Sequence, residues 1–197
     1  KTSSVSGSVT VAQKLPTLVL TSGSANQTVN VNAAISTIKY TASGSAASIK
    51  VDGLPNGVTA TTSGLVATIS GKPSEIGTFN FSVTATNNES KTTVLSGKIV
   101  VNAVAPVITK PASTTISATQ GVAITPITFT SDVVATFNVT GLPAGLSANT
   151  AADGKSVTIS GTPTGYGTSN FTVSATAYGK TSSVSGSVTV AQKLPTL

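Results

Sequence analysis

Few side chains in this sequence could carry acid–base or covalent chemistry. The carboxylates are Asp52, Glu75, Glu89, Asp132 and Asp153, scattered along the chain. Hydrolytic catalysis needs paired carboxylates at a set spacing, or a nucleophile with a base beside it. Ser and Thr are plentiful, but there is no His, Cys, Met or Trp, and all eleven basic residues are Lys. A Lys serves as a base only when buried and desolvated, and nothing in the pattern marks one. This inventory predicts no catalytic residues and no enzyme.

Binding chemistry is equally sparse. A calcium site needs several hard oxygen ligands, usually clustered carboxylates. No Asp-x-Asp pattern occurs, so no metal site and no cofactor are expected. Asp52, which precedes a Gly-Leu-Pro turn, reads as a residue that caps or orients that turn. Sugar-binding modules stack exposed aromatic rings on the pyranose, and the ring candidates here are Tyr40, Tyr166 and Tyr178. Tyr166, between Gly165 and Gly167, is expected to fold back on its own module. The net charge of +6 is dispersed, with no Arg to fork onto phosphate, which argues against nucleic acid. No apolar run reaches membrane-spanning length, so no membrane insertion is expected in this segment. Asn26, Asn88 and Asn138 stand in Asn-x-Ser/Thr sequons, which arise by chance in so Thr-rich a chain.

The elements that hold these residues read as strands. Val, Ile and Thr recur in alternation, and helix-period apolar stripes are absent, which predicts an all-β fold. Phe79, Phe81, Val83 and Ala85 point one way, while Asn80, Ser82, Thr84 and Thr86 point the other. Such a strand belongs to an antiparallel sheet with one wet face. Asn87–Ser90 turns the chain into a last strand with Leu95, Gly97, Ile99 and Val101 inward. Ser63-Gly64 and Asp153-Gly154 mark earlier hairpins. Phe79, Phe81, Phe129, Phe137 and Phe171 are expected in the core, each ring worth about 2–3 kcal/mol when buried.

Two repeats organise the chain. Residues 1–18, KTSSVSGSVTVAQKLPTL, recur without change at 180–197, 179 residues later. Inside that period a weaker repeat of about 90 residues divides the chain in two. Residues 1–13 are then the last strand of a preceding repeat copy, 14–103 a module A, 104–192 a module B, and 193–197 the start of a further module. With no Met, the chain reads as an internal stretch of a longer protein. Residues 1–11 should need a partner, either the side of A or a neighbouring molecule, because an unpaired strand readily joins another sheet. The short connectors end in Pro16 and Pro106, which fix φ and stiffen each junction. Stacked end to end, such modules would add about 30–40 Å each.

Three motifs carry a family resemblance. They are Gly53-Leu54-Pro55-Asn56-Gly57-Val58 with Gly141-Leu142-Pro143-Ala144-Gly145-Leu146; Ile69-Ser70-Gly71-Lys72-Pro73 with Ile159-Ser160-Gly161-Thr162-Pro163; and the Phe81–Thr86 and Phe171–Thr176 strands. In this combination the chain resembles the bacterial immunoglobulin-like, cadherin-like repeat domains of large surface proteins and adhesins. The resemblance implies two tandem antiparallel β-sandwiches in an elongated arrangement. It also implies that Gly53, Leu54, Pro55, Gly57, Gly71, Pro73, Gly141, Leu142, Pro143, Gly145, Gly161 and Pro163 are structural turn residues. Together with the repetition it predicts a non-enzymatic stalk or spacer of an extracellular cell-surface adhesin. Its partners would be neighbouring repeats, with any glycan or host surface bound through other regions. Two alternatives are a glycan- or host-protein-binding module and a self-assembling fibre or surface-layer subunit that exchanges strands.

Overall fold

Period-2 alternation of apolar and hydroxyl residues gives each strand one face to bury, and the strands of this chain pair accordingly. A computed structural model of the protein describes residues 1–10 and 14–194. It contains strands and turns, with no helix among the described residues. The chain divides into two units, Lys1–Asn102 and Ala103–Leu197.

The first unit holds β1 (Thr17–Ser22), β2 (Asn26–Asn30), β3 (Ile38–Ser43), β4 (Ala46–Asp52), β5 (Val58–Ser63), β6 (Val66–Gly71), β7 (Gly77–Asn87) and β8 (Thr92–Asn102). They form two four-stranded sheets, β1-β3-β6-β5 and β2-β8-β7-β4. The second unit repeats the plan with β9 (Ile108–Thr109), β10 (Thr115–Thr119), β11 (Ile127–Ser131), β12 (Thr136–Thr140), β13 (Leu146–Thr150), β14 (Ser156–Gly161), β15 (Gly167–Ala177) and β16 (Lys180–Ala191). Its sheets are β13-β14-β11-β9 and β10-β16-β15-β12. Pairing is antiparallel except for β2 with β8 and β10 with β16, which run parallel. The architecture is the expected all-β pair of tandem sandwiches.

The long strands β7 and β15 carry each core. Phe81, Val83 and Ala85, and in the second unit Phe171, Val173 and Ala175, are buried. Phe81 meets Tyr40 edge to face at 6.5 Å, and Phe171 meets Phe129 in the same way at 6.2 Å. Edge-to-face packing suits the ring quadrupole and ties one sheet to the other. Gly97 on β8 and Gly186 on β16 make room for these rings. A methyl built on Gly97 would overlap the Phe81 ring, and one on Gly186 the Phe171 ring.

Several expectations need correction. Phe79 and Phe137 are only half-buried. Phe79 lies near the start of β7, and Phe137 lies on an edge strand. Tyr40, an expected candidate for an exposed ring, is 1% exposed. Its position on β3 between buried Ile38 and Ala42 puts it on the inward phase. Residues 1–10 form no strand and all ten are exposed, with Val5 at 98% and Val9 at 91%. The expected docking onto the side of A therefore does not occur. Val11, also assigned to this strand, lies outside the described residues.

The Tyr40 hydroxyl is buried and finds no hydrogen-bond partner among the described residues. The second unit places Phe129 at the equivalent position of its core, without that hydroxyl. Burial holds the Tyr40 phenol above its ordinary pKa of 10.0 by desolvation. The unfolded chain releases this proton near 10 while the folded unit retains it. The stabilising share is thus intact below about pH 10 and is lost as pH rises toward the folded value. Tyr40→Phe should raise the stability of the first unit by about 1 kcal/mol at neutral pH. It should also flatten the loss of stability above about pH 10. Urea unfolding at pH 7 and pH 11 measures both; a destabilised variant would contradict the reading.

Candidate functional site

The residues that set this sequence apart converge on one backbone clasp per unit. In the first unit Pro55 and Gly57 lie in the loop between β4 and β5, and Gly71 and Pro73 lie at and beyond the end of β6. The Lys72 N–H donates to the Gly57 carbonyl at 2.9 Å, and the Ser74 N–H donates to the Asn56 carbonyl at 2.9 Å. The Val58 N–H closes the first turn onto the Pro55 carbonyl at 3.1 Å. Gly57 and Gly71 approach back to back with φ of 84° and 136°. A Cβ on either would run into backbone atoms of the other segment. Only Gly combines that φ with that proximity.

A third segment joins the clasp. The Asn32 and Ile35 N–H groups donate to the Pro73 and Gly71 carbonyls at 2.8 and 3.0 Å. In the second unit Thr162 and Thr164 donate to Gly145 and Ala144 at 3.0 Å each, and Gly121 and Ile124 donate to Pro163 and Gly161 at 2.9 Å each. Pro55, Pro73 and Pro163 are buried, while Leu54, Leu142 and Pro143 are half-buried. Gly53 and Gly141 press against the backbone at Asn80 and Asn170, where a Cβ would overlap a carbonyl oxygen.

The junction prolines act through their carbonyls. Thr93 donates its hydroxyl to the Pro16 carbonyl, and Ser182 donates to the Pro106 carbonyl. Nearby, Asn87 is a buried polar side chain. Its Oδ1 accepts from the Glu89 and Lys91 N–H groups at 3.0 and 2.8 Å, and its Nδ2 donates to the Lys14 carbonyl at 3.1 Å. Sequence reasoning took Asn87 only as a turn residue. Its place at the end of a strand whose alternate residues are buried was the signal for more.

Four of the five carboxylates are engaged with nearby groups. Glu75 Oε1, rather than Asp52, accepts from the first clasp, taking the Asn56 N–H at 2.9 Å. Asp52 instead pairs with Lys50 at 2.8 Å, because residues two apart on a strand share a face. Asp132 accepts from the Val107 N–H at 2.7 Å and Asp153 from the Lys155 N–H at 2.9 Å. Among the described residues no three Asp, Glu, His or Cys side chains come together as metal ligands. Tyr166 departs from expectation: it is 64% exposed and does not fold back. A Cβ built on the flanking Gly165 or Gly167 would meet open space.

One surface escaped the sequence reading altogether. The outward residues of β15 and β16 pair as Thr168–Thr189, Ser174–Ser183 and Thr176–Thr181, with hydroxyl separations of 3.2, 2.8 and 2.8 Å. Thr136, Asn138 and Thr140 extend the same face across β12. Apart from Ala191 at the end of β16, this sheet face is built from hydroxyl and amide side chains. The equivalent face of the first unit is interrupted by Lys50, Asp52, Val94 and Lys98. An open cleft of about 410 Å³ on that unit is lined by Asp52, Gly53, Asn80, Ser82, Ser96 and Gly97.

This geometry defines a class: two immunoglobulin-like β-sandwiches in tandem, each fastened by a glycine clasp. The family model described as "Putative Ig domain" matches residues 9–102 and again 98–191, and the chain belongs to that family. No curated protein matches the sequence. Among solved structures, the endo-fucoidan hydrolase MfFcnA4 from glycoside hydrolase family 107 is 16% identical over 91% of this chain, with a TM-score of 0.47. This chain spans only 29% of that protein's length. The titin domains z1z2, solved in complex with telethonin, are 12% identical over 90% of this chain and 98% of their own, with a TM-score of 0.48.

The clasp yields a graded test. Gly57→Ala and Gly145→Ala should each destabilise their unit by more than about 2 kcal/mol, since strain and overlap act together. Gly64→Ala, also at positive φ but with open space around it, should cost only about 1–2 kcal/mol. Equal losses in urea unfolding would show that φ alone matters.

Proposed function

We propose that this chain is a non-enzymatic spacer: one period of a repeating stalk in a bacterial cell-surface adhesin, holding a distal binding region away from the cell. The observation that carries this reading is the unchanged recurrence of residues 1–18 at 180–197, with two equivalent sandwiches between. Repeat arrays share stability unit by unit and change length by gaining or losing units. The family's defining residues support the same reading, because they serve backbone turns and leave no convergent reactive groups. The engaged carboxylates agree with it. Location outside the cell and neighbouring repeats as partners belong to this proposal.

A second reading rests on the uncharged hydroxyl face of β15, β16 and β12. Such a surface suits a neutral polysaccharide, whose hydroxyls would exchange hydrogen bonds with it. A glycan array probed with the whole chain separates the two, since a pure spacer retains no glycan.

Small-angle scattering tests the spacer directly. Two modules of about 30–40 Å each, laid end to end, give a maximum dimension of about 60–80 Å. A folded-back pair, with a maximum near that of a single compact domain of this size, would overturn it.

A further inference from the structure

The first clasp contains a reactive pair that the second lacks. Asn56-Gly57 is the only Asn-Gly pair in the chain, and Ala144-Gly145 stands at the equivalent place of the second unit. An Asn side-chain amide is open to attack by the main-chain nitrogen that follows it, and the attack is least hindered when the next residue is glycine. Here the clasp itself demands that glycine, because a Cβ on Gly57 would run into the Lys72 carbonyl. Asn56 and Gly57 are both exposed. Among the described residues the Asn56 N–H donates to Glu75, while the Gly57 N–H donates to no protein group. Its nitrogen is therefore free to react with the Asn56 amide beside it. The two Asp-Gly pairs offer less, since a carboxylate is a poor electrophile. The Gly154 N–H is also committed to the Ala151 carbonyl at 2.9 Å.

We propose that Asn56 is a self-modifying site, converting with age to isoaspartate and opening the clasp of the first unit alone. The Gly57 nitrogen gives up its proton to solvent base and bonds to the Asn56 Cγ. The Cγ–Nδ2 bond breaks, and the amide leaves as ammonia with a proton from water. Water then opens the five-membered imide that results. Cleavage between the Gly57 nitrogen and the main-chain carbonyl carbon of residue 56 leaves isoaspartate, and cleavage at Cγ leaves ordinary aspartate. One water is consumed and one ammonia released, with no other reactant. In isoaspartate the chain runs through Cβ and Cγ, so the main chain lengthens and the former main-chain carbonyl becomes a free carboxylate. That carbonyl accepts the Ser74 N–H at 2.9 Å, and the next one, on Gly57, accepts the Lys72 N–H at 2.9 Å. Both bonds lose their register. The new charge also arises beside the Glu75 carboxylate, which takes the Asn56 N–H at 2.9 Å, and like charges repel. The second unit, with Ala144, is spared. This inference goes beyond the spacer reading and does not depend on it.

Ageing the whole chain in warm, mildly alkaline buffer tests this. Peptide mapping, with isoaspartyl methyltransferase as the label, should place isoaspartate at residue 56 and show it forming faster as pH rises. Asn88, exposed but followed by Glu89, should convert at least about tenfold more slowly. Hydrogen exchange on the aged sample supplies the structural readout. The Lys72 and Ser74 amides should exchange at least about tenfold faster than in fresh chain, while Thr162 and Thr164 stay unchanged. Asn56→Ala installs the second unit's residue, so it should fold and abolish both effects. Native chain that stays unconverted while urea-unfolded chain converts would overturn the proposal, because the clasp would then protect the pair. Unchanged exchange at Lys72 and Ser74 after conversion would overturn it as well.

Discussion

The contact on which each unit depends is a phenylalanine ring seated over a glycine. Phe81 lies over Gly97 and Phe171 over Gly186, on adjacent strands of one sheet. The same rings reach edge-on to Tyr40 and Phe129 in the opposing sheet. A side chain in place of either glycine would lift the ring and part the two sheets. A chain with 4% aromatic residues cannot fill its cores with large rings, so the few it has must be placed without waste. The surrounding Val, Ile and Ala residues fill the remaining space.

Much of this arrangement was legible in the sequence, and for a physical reason. Alternation along Phe81–Thr86 and Leu95–Val101 has period 2, so the inward set could be read directly, glycine included. Turns could be read where Gly and Pro impose φ, as at Ser63-Gly64 and the Gly-Leu-Pro motif. What failed were judgements about single residues. Tyr40 was taken as a candidate for exposure because Tyr carries a polar tip, yet strand phase overrides that tendency. Tyr166 was expected to fold back, yet it stands exposed in the loop before β15. Asp52 was given the role that Glu75 performs, because proximity in sequence is a poor guide across a sheet. The hydroxyl face went unseen because only pairing across β12, β15 and β16 brings its residues side by side.

Residues 1–10 teach the complementary lesson. Strand formation here is a property of the seat, not of the segment. Identical letters are extended and buried beside β15, and unpaired where no such groove is offered. The glycine clasps work the same way: each is two local turns whose conformations become obligatory only when their backbones meet. In both cases local sequence supplies permission and tertiary contact supplies the decision.

The parallel pairing of β2 with β8, and of β10 with β16, has a mechanical consequence. Asn26–Asn30 run alongside Lys98–Asn102, and Thr115–Thr119 alongside Ser187–Ala191. Tension entering a unit from its N-terminal side and leaving from its C-terminal side pulls such a pair lengthwise in opposite directions. The bonds between the two strands are then loaded together in shear, whereas a hairpin pulled at its open end unzips one bond at a time. Each unit therefore sets against stretching along the chain a pair of strands whose bonds are loaded together in shear.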